Sequence, residues 1–589
     1  MKKYVADFET TTLPDDCRVW AYAIVDIDDP DNKDNIVIGT DIYEFIDWCS
    51  EQKGNPKILF HNLKFDMSFV MDALFKLGFE HTTDPKDRDT MTFNTMISDM
   101  GLVYQCEIIF YKKGKNIRKV TLQDSYKLIP LPVRDIPKAF GLEEAKGEID
   151  YTAHDYLPAG SPITEEEKEY LIHDVVIVAK ALSYMYSQGL TKMTIGSCAL
   201  DEYKRLVGKN TFARWFPTPE YHDDVKQSYR GGFTYLNPEF KDKPVKQGIC
   251  LDVNSLYPSV LRSHDCPLPY GTALFFKGQY QPDPIYPLYT QMLRCQFELK
   301  PGKIPTIQIK HSLDYISNEY LTSSNGEEVT LCLNSVDLDL FFEQYDVYNP
   351  EYLSGWKFKA SVGMFDKYID KWMANKIKAK KEHNPGMTFI SKRFLNSLYG
   401  KYGQDNVVIN KVPYYHNKQV CYYYSDPKPR KGLYIALASF VTSYARRVTI
   451  TSAQKIMDNY NAGKSDIQFI YADTDSLHCS SPDFKLPEGL DIDPYKLGAW
   501  KFESKFYSED GNGAKYLRQK CYIENFTEDV DNPNPDYKLK VTVAGMPPEC
   551  YDQVTFDNFH IGATYFGKKI PITVPGGTIL QDGTFTIKP

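Results

Sequence analysis

IQFIYADTDSLHC, residues 467–479, is an apolar run of strand length that ends in two carboxylates, Asp473 and Asp475, one residue apart. A buried carboxylate without compensation costs several kcal/mol, so acids in such a place are normally paired or bound to metal. No lysine or arginine lies within the motif. Read alone, DTDS also fits an acidic surface turn. A second strand-like run with the same feature, GICLDVNSLYPSV (248–260), ends in Asp252 before a Tyr-Pro turn, which weakens that reading. Two acid-bearing strand ends meeting in one cleft suit Mg²⁺, a hard cation that leaves positions open for phosphate oxygens. Mn²⁺ fits the same donors. Paired ions of this kind stabilise the entering and leaving oxygens of an in-line displacement at phosphorus.

Between these motifs lies MTFISKRFLNSLYGKYG (387–403), preceded by Pro385 and Gly386. The pattern predicts a helix in which Lys392, Asn396 and Tyr399 recur at i, i+4 and i+7 on one face, with Gly400 as its end. A lysine there offers a point charge for a triphosphate, and a tyrosine can stack on a base or sugar. The plainer alternative is an amphipathic helix buried on Phe389, Phe394, Leu395 and Leu398.

A further set of acids opens the chain. In YVADFETTT, Asp7 and Glu9 are two apart on a strand and point the same way. Asp66 follows the apolar run in FHNLKFD beside Asn62. In PITEEEKEYLIHDVV, Thr164 and Glu167 form a capping box that opens a helix carrying Tyr170 and Asp174 at i and i+4. Four carboxylates on separate elements with a neighbouring phenol suit a two-metal nuclease.

The 589 residues are too many for one core and imply several domains. Hydrophobic residues at 42% and charged residues at 25% describe a soluble globular protein, rich in Tyr and Phe. The 12 cysteines include no CxxC pair, which argues against a disulfide framework or a zinc knuckle and for a reducing cytoplasm. Neither a secretory leader nor a membrane-spanning run is evident. A net charge of −9 is unlike a simple basic DNA-binding domain, so any grip on nucleic acid rests on local patches such as Lys371–Lys381 and Lys515, Arg518 and Lys520. Strand and helix patterns alternate up to residue 190; a second unit opens at 191–264; Pro-, Tyr- and Gly-rich segments near 265–360 and 403–436 read as insertions; and the region after about 500 is rich in strands and turns.

These motifs carry a family resemblance. DFETT, HNLKFD and YLIHD resemble the three proofreading motifs of family B DNA polymerases, and DVNSLYPS, KRFLNSLYG and YADTDS resemble the three polymerisation motifs in the family's order. YRGGF, KGEIDY, LRQKCY and the VPGG…TFTIK ending resemble the protein-primed subgroup known from phi-29-type phages, over essentially the whole chain.

The resemblance implies an α/β and α+β multidomain protein: a ribonuclease-H-like 3′–5′ exonuclease domain (1–190), then a right-hand polymerase. The palm would occupy 191–264 and 437–525, the fingers 361–402, the thumb 526–589, and the subgroup insertions 265–360 and 403–436. It implies metal binding by Asp252, Asp475, Asp473 and the Val253 backbone in the palm, and by Asp7, Glu9, Asp66 and Asp174 in the exonuclease, aided by Tyr170 and Lys146. Ser255, Leu256, Tyr257, Lys376, Lys392, Asn396 and Tyr399 would hold the nucleotide, with Lys378, Lys380 and Lys381 equally open as the second triphosphate lysine. Thr10, Asn62, Phe65, Ser125 and Tyr151 would hold a frayed primer end. Tyr229, Arg230, Gly231 and Gly232 would follow the template, and Lys515, Arg518, Lys520 and Tyr522 the primer. Leu131 and Met67 depart from the residues familiar at their positions.

The expected function is template-directed DNA synthesis with proofreading and strand displacement on a linear viral genome. It would use Mg²⁺ (two ions per site) or Mn²⁺, start on the hydroxyl of a terminal protein, and run in the cytoplasm of an infected bacterium. The expected partners are template and primer DNA, deoxynucleoside triphosphates and the terminal protein, with the chain a monomer or a heterodimer with that protein. A DNA-primed polymerase would lack the two insertions, and a decayed replication scaffold would lack intact acids. A reverse transcriptase would place its acids side by side.

Overall fold

A computed structural model describes residues 1–308, 320–430, 433–529 and 539–589; the parts of both insertions and of the expected thumb that fall between these ranges lie outside the described residues. The first unit is built on an eight-stranded sheet of β1 (Lys3–Thr10), β2 (Val19–Asp26), β3 (Val37–Gly39), β4 (Lys57–Phe60), β5 (Glu80–His81), β6 (Thr92–Ile97), β7 (Val103–Lys113) and β8 (Asn116–Asp124). Its order is β3-β2-β1-β4-β8-β7-β6-β5, with β1, β4 and β8 parallel at the centre. Parallel strands are buried on both faces, which is why VADF and ILF are nearly continuous apolar runs. Helix α1 (Asp66–Lys76) covers one face, and α2 (Glu165–Ser187) covers the other. The capping box of α2 is present: the Glu167 N–H donates to Thr164 Oγ1 at 3.2 Å and the Thr164 N–H to Glu167 Oε2 at 2.8 Å.

The second unit is a six-stranded sheet. Strands β9 (Thr234–Leu236) and β10 (Gln247–Val253) come before α3 (Leu256–Arg262). Tyr257-Pro258, expected as a turn, lies instead in the first turn of α3, where proline's missing N–H leaves no helix bond unmade. Four strands then form a sheet of their own: β11 (Leu268–Lys277), β12 (Leu288–Leu299), β13 (Val329–Asn334) and β14 (Tyr345–Ser361), in the order β11-β14-β12-β13.

Helices α4 (Asp366–Lys381) and α5 (Pro385–Tyr402) fold back on each other through Trp372 against Phe394, ring centroids 4.3 Å apart. Contrary to expectation, Gly400 does not end α5: glycine inside a helix costs only about 1 kcal/mol, and burial of Leu398 and Tyr402 holds the last turn. The hairpin β15 (Lys411–His416) and β16 (Gln419–Tyr424) reaches back to the first unit, where Tyr415 donates to Asp72 at 3.1 Å.

Helix α5 is followed in the core by α6 (Ile435–Asn461), which backs the second sheet. That sheet is continued by β17 (Gln468–Asp473), β18 (Ser476–Ser480) and β19 (Trp500–Tyr507). Further on come β20 (Ala514–Arg518), β21 (Cys521–Glu524), β22 (Phe526–Asp529), β23 (Lys540–Val543) and the hairpin β24 (Thr564–Val574) and β25 (Gly577–Thr586). The second sheet has the order β22-β19-β10-β18-β17-β9, whereas the short strand Pro244–Val245, β20, β21 and β23 form a separate sheet in that order. The expected division at residue 526 therefore falls within a continuous sheet. No helix among the described residues is long and apolar enough to cross a membrane.

Candidate active sites

In the first unit, alternation along β1 puts Asp7 and Glu9 on one face, as expected, and α2 brings Asp174 to them. One ligand oxygen from each of the three lies within 4.8 Å of the others. Asp66, at the start of α1, stands close enough for its charge to act on theirs. Burial, then repulsion from Asp174, lifts the Asp7 carboxyl to about 7. Burial and Asp7 likewise push Glu9 and Asp66 well above the usual carboxylate range.

The cation facing this cluster is Lys146, whose Nζ donates to Asp174 Oδ2 at 2.6 Å. Asp174 Oδ1 is buried without a hydrogen-bond partner. Four hard-oxygen donors that repel one another, one of them orphaned, fit a divalent hard cation. Tyr170 is buried beside them, its hydroxyl 3.3 Å from that of Tyr151, which is 55% exposed.

A cavity of about 560 Å³ opens from Asp7 and Asp66 past Asn62 and Phe65, and the hairpin residues Lys411, Tyr422, Thr573 and Thr578 close it. Thr10 lies half-buried at the end of β1. Ser125, expected to hold a primer end, is fully buried, its hydroxyl bonded to the Phe60 carbonyl at 3.0 Å and to His61 Nδ1 at 2.9 Å. His61 in turn bonds the Leu131 carbonyl at 2.7 Å, and Met67 is wholly in the core. Asp124, absent from the expected set, accepts the Asn62 N–H at 3.0 Å and thereby supports the left-handed backbone (φ 72°) that presents Asn62.

The second site lies on the second sheet. Asp252 faces Ser476 across β10 and β18, and the Asp475 carbonyl accepts the Val253 N–H at 2.7 Å, so Asp252 and Asp475 flank one point. Burial, then Asp475 and Glu503, lifts the Asp252 carboxyl to about 7; burial, then Asp473 and Glu503, raises Asp475. Two features escaped the sequence. Glu503 reaches the pair because the β10–β19 register shifts beside it, and Lys501 stands opposite Asp252 with Nζ 3.6 Å from Oδ2.

Asp473 differs from both. It is paired with Lys520 Nζ at 2.7 and 2.8 Å and accepts from Thr234 Oγ1 and Thr474 Oγ1 at 3.2 Å each. The expectation that no cation compensates these acids is corrected by Lys501 of β19 and Lys520 of the turn between β20 and β21. The residues expected to contact a primer all have partners within the chain. Lys520 is held by Asp473, Lys515 by Asp242 and the Phe559 carbonyl, and Arg518 by the Lys588 carbonyl. Tyr522 is buried among Tyr471, Tyr516 and His478.

The turn between the acids is tightly held: Thr474 has φ 58°, its N–H donates to the Phe233 carbonyl at 2.6 Å, and its carbonyl accepts from Thr449 Oγ1 at 2.7 Å. A Cβ on Gly232 would lie 2.5 Å from Thr474 Oγ1, which explains a glycine there. Arg446 of α6, buried and paired with Asp337, donates to the Arg230 and Gly231 carbonyls at 2.8 and 2.7 Å and so fixes the Tyr229–Gly232 linker.

On α5, Lys392 and Asn396 are exposed and Tyr399 is half-buried on one face, as expected. Tyr399 stacks on Tyr257 with ring centroids 4.0 Å apart. Ser255 (φ 56°) and Leu256 turn the chain from Asp252 into α3. Lys376 is half-buried on α4, and Lys378 lies 3.9 Å from Glu382.

Residues 49–161 and 154–488 match the family model for DNA polymerase type B, organellar and viral. The chain is 42% identical over 601 residues to the DNA polymerase of Bacillus phage phi29, covering 100% of this chain and 99% of that protein. To the DNA polymerase of Streptococcus phage Cp-1 it is 32% identical, covering 99% and 98%. The structure of phi29 DNA polymerase complexed with primer-template DNA and incoming nucleotides matches all of both chains with a TM-score of 0.90 at 41% identity. With both acid clusters at the motif positions and matches over the full length in sequence and structure, the chain belongs to the phi29-type phage DNA polymerases of family B.

Proposed function

We propose that the protein copies DNA from a template, proofreads with a 3′–5′ exonuclease, and begins on a terminal protein, as the replicative enzyme of a linear phage genome in an infected bacterium. One observation carries this reading: two separate clusters of buried and half-buried, mutually repelling carboxylates, in a chain 41% identical to a polymerase solved with primer-template DNA and nucleotides.

In the second site, Asp252 and Asp475, with the Val253 backbone, would hold the paired Mg²⁺ or Mn²⁺ ions. When bound, the ions would favour the ionised attacking hydroxyl and the negative charge on pyrophosphate. The primer 3′-oxygen, or the terminal protein's side-chain oxygen, bonds to the α-phosphorus; the bond to the β-phosphate bridging oxygen breaks, and pyrophosphate leaves. Lys392 supplies charge to the triphosphate, while the Tyr399–Tyr257 stack forms a wall against base and sugar and bars a 2′-hydroxyl. Glu503 adds negative charge that strengthens the pull on cations, and Lys501 limits it. Lys520 holds the Asp473 carboxylate and the hairpin turn in place.

In the first site, Asp7, Glu9, Asp66 and Asp174 would hold the hydrolytic ions. Tyr170 and Lys146 orient the attacking water, while Asn62, Phe65 and Thr10 hold the frayed end in the cavity. Water attacks the terminal phosphodiester and a nucleoside monophosphate leaves.

The test uses a 5′-labelled primer recessed on a long template. Extension with the four deoxynucleotides and stepwise shortening without them are expected; a chain that binds the primer but does neither would sink the reading. A priming protein from the same genome, given Mg²⁺ and a labelled deoxynucleotide, should become labelled.

A further inference from the structure

Beside the second site, two residues before Asp252 and on the same face of β10, four polar groups converge in the core. Cys250 of β10, His478 of β18 and Glu524 of β21 are 0%, 2% and 0% exposed. Cys250 Sγ is 3.4 Å from His478 Nδ1 and 3.3 Å from Glu524 Oε1, and the last two atoms are 2.6 Å apart. The Tyr516 hydroxyl lies 2.7 Å from the same Oε1 and 3.1 Å from the same Nδ1. Glu524 Oε2 is buried, accepts no hydrogen bond, and has the Lys540 ammonium at 3.8 Å.

We propose that Cys250, His478 and Glu524 bind one structural Zn²⁺, with the Tyr516 hydroxyl or a water as fourth donor. Tetrahedral zinc with bond lengths of about 2.0–2.3 Å sets its ligand atoms roughly 3.3–3.6 Å apart. Both edges to Cys250 meet this, and the His478–Glu524 edge opens by roughly 0.7 Å on binding. The thiolate selects a borderline-soft ion over Mg²⁺ or Mn²⁺, so the site does not compete for the catalytic cations. Binding replaces two protons, that of the Cys250 thiol and the one His478 Nδ1 shares with Glu524, and both leave to solvent.

The ion would tie together β10, β18 and β21, and thus fix the strands that carry Asp252 and Asp475 to the sheet that follows them. No CxxC spacing announces such a site, because its ligands come from three strands.

The test is the zinc content of the full-length chain, purified without chelator, together with its absorption after exchange into Co²⁺. About one zinc per chain and a thiolate-to-cobalt charge-transfer band in the near ultraviolet are expected; the carboxylate clusters, having no sulfur, cannot produce that band. Cys250→Val should lose the zinc and the band with the other cysteines intact. Wild-type protein with neither zinc nor band overturns the proposal, as does a band that persists in Cys250→Val. Should that variant fail to fold, the wild-type zinc content and spectrum decide alone.

Discussion

The two carboxylate clusters are built from the same groups yet differ in how their charge is held. In the first unit, four acids from β1, α1 and α2 face one another with Lys146 as the cation, and an oxygen of Asp174 is left without a partner. In the second, Lys520 is bonded to Asp473 and Lys501 stands opposite Asp252. The difference teaches that metal affinity without substrate should be unequal. The first cluster should bind cations unaided, whereas the second, partly neutralised, should bind them firmly only when a triphosphate adds its own oxygens.

The largest expected effect breaks one side of the comparison alone. Asp252→Asn should lower extension by about 10³-fold or more, in keeping with the several kcal/mol that such ions supply. Shortening, followed on the same primer, should stay at the wild-type rate.

Lys520→Ala should come next, with extension slowed by about 10–100-fold because Asp473 loses its partner and the turn loosens. Lys520→Arg should restore most of the rate. Equal losses in both variants would mean that Lys520 acts on DNA rather than on Asp473.

The pH dependence sharpens the comparison. Asp7 and Asp252 are both lifted to about 7, and only their ionised forms hold cations. At limiting Mg²⁺, shortening and extension should therefore fall as pH drops through about 7, with midpoints that move lower as Mg²⁺ is raised. Rates measured from pH 5.5 to 8.5 at two Mg²⁺ concentrations check this.

The smallest effect concerns stability. An acid whose folded pKa lies above its unfolded value stabilises the fold below the unfolded value, and that contribution is lost as pH rises through the folded one. In chelator, the melting temperature should thus fall between pH 5 and 8. Asp7→Asn should recover a few degrees at pH 8, and Mg²⁺ should recover as much in the wild type.

The acids themselves were legible in the sequence, because a carboxylate at the end of an apolar strand stands out whatever the fold. The i, i+4, i+7 face of Lys392, Asn396 and Tyr399 was equally plain. Distant partners were not: Lys501 and Glu503 meet the acids through strand register and a bulge, and Lys520 from the turn between β20 and β21, none of which local pattern encodes. The burial of Ser125 and Tyr522 was hidden for a related reason, since a motif position says which residue is present but not whether its side chain faces a groove or the core. The extra turn of α5 past Gly400 depended on the burial of Tyr402, a tertiary contact.

The most direct measurement is a crossed one: Asp475→Ala and Asp66→Ala chains assayed side by side for extension and for shortening of the same labelled primer with Mg²⁺. Two independent sites require that Asp475→Ala abolish extension and keep shortening, and that Asp66→Ala do the reverse. Loss of both activities in either folded variant, or of neither in both, would contradict that division.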